Sequence, residues 1–187
     1  MFESLTDLAG QFFGLASLVL CILAFLNTRD DRLMALLLLA NAAFALQFAF
    51  FQSWTASILS VLVMVRIALA RRYPGHRGVM MAVLIASGLA AWLTWQSLAD
   101  APALVAMLIG TVSMFLLKGV ALRVCMALAA AFWLASHLLA GSIGGVTAEA
   151  MVILANAITI TRLIRRRQKN AAPPGVGEPD GHQTYRA

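Results

Sequence analysis

The stretch HLLAGSIGGVTAEAMVILANAITITRLIRRR, residues 137–167, decides how the chain is read. It opens on a histidine, turns over a glycine-rich GSIGG, runs through about twenty mostly apolar residues and closes on a cluster of arginines. Twenty apolar residues in a helix cover the ~30 Å of a bilayer's hydrocarbon core. The polar Glu149 and Asn156 lie inside that run, seven residues apart, and so return to nearly one helical face.

Working outward, similar runs recur at about 8–27, 33–52, 54–70, 79–98, 103–117 and 120–140, making seven with 146–164. The chain has 187 residues, 61% hydrophobic and 12% charged, a mix foreign to soluble domains. None of the runs alternates with period two, so strands are excluded in favour of an all-α membrane protein with seven transmembrane helices. Pro102 suits the first turn of the shortest run. The N-terminal MFESLTDLAG lacks the basic region of a secretory signal, so the first helix is expected to be retained.

The formal charge of +6 is explained by where the cations fall. Thirteen of the fourteen lysines and arginines lie at alternate ends of the spans: Arg29 and Arg32; Arg71, Arg72 and Arg77; Lys118 and Arg123; then Arg162 through Arg186. The FQSW, QSLADAP and GSIGG turns hold none. This is the positive-inside pattern, predicting a periplasmic N-terminus, a cytoplasmic C-terminus and no nucleic-acid partner. Cys21 and Cys125, both in apolar helix, read as small core residues.

The end of the first span, LAFLNTRDDR, lines up with the end of the fifth, MFLLKGVALR, and RIALARR lines up with ITRLIRRR. These matches predict two parallel three-helix repeats, about 8–72 and 103–167, joined by a linker helix at about 79–98 (3+1+3). In these registers Trp133 pairs with Ala42 and Asn156 with Leu62. Residues 1–168 form the transmembrane domain, and the proline- and glycine-rich 169–187 a disordered cytoplasmic tail.

Counting outward from Ile143, His137 and Glu149 fall at equal depth, and the expectation is that they pair as an outer gate or proton-sensitive latch. Trp133 lies one turn deeper than His137, and Asn156 ~10 Å deeper than Glu149. The first half offers Asn41, Gln47, Ser57, Ser60 and Arg66, with Gln47 near the place of His137. Arg66, about four residues from the cytoplasmic end of its helix, either snorkels to the interface or points inward as a fixed cation. Each amide and hydroxyl also has a bland role as interhelical glue. Trp54, Trp92 and Trp95 suit an outer aromatic belt.

NTRDDR, ASIL with Arg66, LKG followed by Arg123, and W-x-x-x-H leading into AGSIGG, then Glu149, Asn156 and Arg162, resemble the YgjV-type bacterial inner membrane proteins. The resemblance covers about residues 10–168 and implies no established activity. It extends in shape to SWEET, PQ-loop and vitamin-precursor transporters, in which a tryptophan on the sixth helix and an asparagine on the seventh line a sugar site; Trp133 and Asn156 match those places. Proline hinges of the SWEET kind are missing here.

The leading expectation is a permease for a neutral or anionic small solute, bound by Asn41, Asn156, Trp133 and Arg66. The alternative is a non-transporting membrane module for partner binding or assembly. An enzyme is not expected: Ser142, His137 and Glu149 lack a nucleophile-elbow context. No cofactor or metal pattern occurs, and the histidines are scattered. Lipid is the certain surrounding; the sequence leaves oligomeric state open, a homo-oligomer included.

Overall fold

A computed structural model describes the backbone of residues 5–26 and 30–171. Seven α-helices account for nearly all of it: α1 Leu5–Leu26, α2 Asp30–Phe50, α3 Trp54–Arg72, α4 Arg77–Thr94, α5 Ala101–Leu116, α6 Gly119–Leu139 and α7 Ile143–Ala171. A 3-10 turn, Leu98–Asp100, leads into α5. No strand occurs among the described residues. Within those residues six helices are long and apolar enough to cross a membrane, while α2 has a shorter apolar stretch, Ala35–Phe50. The fifth span is not short, because Leu98–Asp100 extends its apolar run at the start to give Leu98–Leu116. The helical part of α7 continues to Ala171, and the remainder of the expected tail lies outside the described residues, as does Arg29.

Local chemistry closes several of the helix ends. Ser97 and Asp100 form a reciprocal capping box, and Pro102 occupies the first turn of α5, where its missing N–H costs nothing. His76 caps α4 by accepting from the Val79 N–H at 3.2 Å.

Two turns share one pattern. After α6, the Gly141 N–H donates to Leu138 O at 3.1 Å and the Ser142 N–H to His137 O at 2.9 Å. After α2, the Gln52 N–H donates to Ala49 O at 3.0 Å and the Ser53 N–H to Phe48 O at 2.9 Å. Both are Schellman closures, with the C′ residue left-handed: φ is +73° at Gly141 and +57° at Gln52.

Each helix of a six-membered ring packs on its neighbours in the order α1, α2, α3, α5, α6, α7 and back to α1. Helix α4 lies chiefly against α3 and α5, and its buried residues, Met80, Val83, Ser87 and Ala91, form a single stripe. The remaining faces carry large exposed apolar side chains, among them Leu15, Val19, Ile58, Val65, Ile85, Leu89, Leu154 and Ile158. In water such a surface would drive aggregation; against acyl chains it is the compatible one.

Since lipid tails are as apolar as leucine, close packing holds the ring rather than hydrophobic burial. Small residues set the closest approaches. Gly10 and Gly14 lie one turn apart on α1, and a Cβ on Gly10 would strike the ring of Phe51. Gly144 presses on the backbone of Gly14 itself, bringing α7 to α1.

Candidate functional site

One end of the ring is built first by the α6–α7 turn. Ser142 accepts from the Gly145 N–H at 2.9 Å, capping α7. Gln11 of α1 grips the same turn with both amide atoms: Nε2 donates to Gly141 O at 2.6 Å, and Oε1 accepts from the Ile143 N–H at 3.2 Å. The turn is thereby fixed to a helix far away in sequence.

Inside this collar, side chains of α2 and α6 meet across the ring. The Gln47 amide Nε2 lies 3.0 Å from His137 Nδ1, and both residues are fully buried. Assigned as donor, Nε2 leaves Nδ1 the acceptor and puts the imidazole proton on Nε2 of the ring. Phe48 stacks on the imidazole at 4.5 Å and Phe44 tilts against it at 4.8 Å. Phe48 also contacts Trp133, with ring centroids 6.0 Å apart. A glycine at 145 is needed, since a Cβ there would overlap the His137 ring.

The expected pairing of His137 with Glu149 is corrected by this geometry. The turn pivots at Gly141, not Ile143, because the Schellman closure belongs wholly to α6 and α7 starts at once. Four residues either side of Gly141 are His137 and Gly145. Glu149 lies a further turn down, ~6 Å along α7. It is half-buried and makes no ion pair or hydrogen bond among the described residues. Ala148, next to it in the chain, packs with the buried Cys21 of α1.

Below the aromatic plug the polar residues are spread. Asn156 is buried on α7, on the face it shares with Glu149; its Nδ2 donates to Val152 O at 2.9 Å, and its Oδ1 is enclosed without a partner among the described residues. Asn41, partly exposed, donates to Leu37 O at 2.9 Å. Both amides thus bond within their own helices, and among the described residues no hydrogen bond joins Asn41, Trp133 and Asn156. Ser57 links α3 to α2 through Ala45 O at 2.8 Å, and Ser60 bonds its own helix at Ala56 O.

Arg66 is 4% exposed, which rules out snorkelling. It sits six residues before the end of α3, ~9 Å from Arg72, too deep and too enclosed to reach water. Its Nη1 faces Met107 O at 3.5 Å and Met107 Sδ at 3.7 Å, and a Cβ on Gly110 of α5 would collide with the same nitrogen. Its Nε is buried without a partner among the described residues. The structure therefore gathers Gln47, Trp133 and His137 at the end of the ring that carries the α6–α7 turn and places Arg66 at the α3–α5 seam.

Gln11, Phe44, Phe48 and the glycine contacts escape a reading of the sequence. The spacing Gly10-x-x-x-Gly14 is the signal that marks the close seam; the two phenylalanines are indistinguishable from lipid-facing ones without the ring.

Comparison with known families gives one assignment. The family model Imp-YgjV, described as bacterial inner membrane protein, matches residues 8–167. No curated protein and no solved structure matches significantly.

Proposed function

The chain belongs to the Imp-YgjV family of bacterial inner membrane proteins, and from that premise we propose that it is a small-solute permease with its path through the six-helix ring. The observation that carries this reading is the ring order. Exchanging α1, α2, α3 for α5, α6, α7 leaves every neighbour relation in the ring unchanged. That permutation is what two parallel repeats about an axis along the membrane normal require, with α4 as the linker. The paired Schellman turns support the same reading and reset the register: Phe48 becomes the counterpart of His137, and Phe44 that of Trp133. These four side chains come from the two equivalent helices and meet at the ring's centre.

On this reading the contact between α2 and α6 is a closed outer gate. Asn41 and Asn156 line the path beneath it, with Trp133 closing its upper end, and Asn156, whose enclosed Oδ1 has no donor among the described residues, is the foremost solute ligand. Glu149, half-buried above Asn156, is the residue placed to couple protons. The arginine distribution orients the gate toward the periplasm, with the N-terminus on that side and the C-terminus in the cytoplasm.

The test is flux of a metabolite panel in proteoliposomes. Once a transported solute is found, Asn156→Ala and Glu149→Gln are each expected to lower its flux at least tenfold; unchanged flux in both sinks the site. The alternative, a non-transporting module that binds a membrane partner, is favoured by one observation, that Asn41 and Asn156 donate to their own helices. A stoichiometric partner in pull-downs, with no flux of any solute, would select it.

A further inference from the structure

Arg66 stands out among the buried groups because its charge is unanswered. An arginine stays protonated in proteins and carries five N–H donors with no acceptor of its own. Burying such a group away from a counter-charge is among the costliest arrangements a fold can hold. Among the described residues, the acceptors within reach are the oxygen and sulfur of Met107, both on Nη1 and both at long range. No carboxylate among them pairs with it, and Nε has no partner there.

The arrangement of the free donors is specific. Nη1 is the nitrogen turned to α5. Nε and Nη2 form the opposite, side-on edge of the guanidinium, two parallel N–H groups that match the two oxygens of a carboxylate. On this edge Nε is enclosed, and Nη2, which makes no hydrogen bond to the described residues, is not among the enclosed unpartnered atoms. Gly110 supplies the space: with any Cβ there the guanidinium would be displaced.

We propose that Arg66 is an oxyanion site, and that its Nε–Nη2 edge receives the carboxylate or phosphate of the transported solute. The inference rests on the permease reading and narrows it from any small solute to an anionic one. The site lies at the α3–α5 seam, one of the two boundaries between the three-helix units, where a bound anion would neutralise the fixed charge as the units move.

The test uses the full chain in nanodiscs of phosphatidylcholine alone, with acetate, inorganic phosphate and chloride as probes at matched ionic strength. Acetate or phosphate is expected to raise Tm by about 3–6 °C at ten times its Kd, and chloride, which lacks two oxygens spaced to match the parallel N–H groups, to do much less. Arg66→Lys keeps the charge and loses the fork, so binding should weaken roughly tenfold; Gly110→Ala should weaken it to a similar extent by moving the guanidinium. Arg66→Met should abolish the response, and the Arg66→Lys and Gly110→Ala variants carry the test if the methionine variant does not fold. Equal stabilisation of Arg66→Met, equal effects of chloride and acetate, or a response that needs added phosphatidylglycerol would overturn the proposal, the last by assigning the anion to a lipid headgroup. Binding through Arg66 without flux of any solute would sustain the site and remove the permease reading. Flux of neutral solutes alone, indifferent to Arg66→Met, would do the reverse.

Discussion

At the scale of residues, the glycines separate positions where a side chain is forbidden from positions where it is merely missing. A Cβ at 144 would meet backbone atoms of Gly14 and Leu15, which cannot rotate aside, so α1 and α7 would have to part. Gly144→Ala is expected to cost about 1–3 kcal/mol, the range for overpacking. Gly88 of α4 has nothing within 4 Å, and Gly88→Ala should be neutral or stabilise by up to ~1 kcal/mol through helix propensity. Detergent unfolding midpoints of the two variants, measured side by side, check both signs. The Gln47 and His137 pair is open to a double-mutant cycle. Gln47→Leu strands the imidazole nitrogen in an apolar shell at a cost of about 1–3 kcal/mol. Adding His137→Phe removes the stranded group and should recover much of that loss, a positive coupling that independent residues would not show.

At the scale of elements, the two Schellman turns make a prediction of opposite signs at equivalent places. Gln52 holds φ +57° without being glycine. Gln52→Gly should therefore stabilise by about 0.5–1 kcal/mol, while Gly141→Ala, strained at φ +73°, should destabilise by ~1 kcal/mol. Chemical denaturation in mild detergent reads both. The same turns explain how far the sequence can be followed. All seven helices are legible in it, because hydropathy and breakers such as Pro74, Pro102 and Gly141 mark their ends within a few residues. The pairing of His137 is not, since counting residues gives depth along a helix only if the pivot of the turn is known. A shift of two residues in that pivot moves the residue opposite His137 from Glu149 to Gly145 and leaves Gln47, on another helix, to bond the ring. Arg66 shows a second limit: spacing from a helix end allows a snorkelling arginine, whereas its azimuth, turned onto Met107 and Gly110, is fixed by which helices are neighbours.

At the scale of the whole molecule, the question is whether the ring opens at the end where α2 and α6 meet. Cys21 reports on it. The thiol is buried on α1, seven residues below Gly14 and therefore ~10 Å beneath the α1–α7 seam, in a cluster with Ala40, Phe44 and Ala148. Phe44 is also one of the rings closing over His137, so the plug and the shield of Cys21 are partly one object. In a Cys125→Ser background, a membrane-impermeant maleimide added to the face that carries the α6–α7 turn should modify Cys21 slowly. Phe48→Ala removes the ring stacked on His137 and in contact with Trp133, and is expected to raise the rate about tenfold, a change of ~1.4 kcal/mol in the opening equilibrium. Leu89→Ala, on the exposed face of α4, should leave the rate unchanged. If both variants accelerate labelling alike, the protein is loosening globally and the aromatic contact is packing, not a gate. If neither does, the aromatic contact does not govern access to the space beneath it, and the path must run elsewhere in the ring.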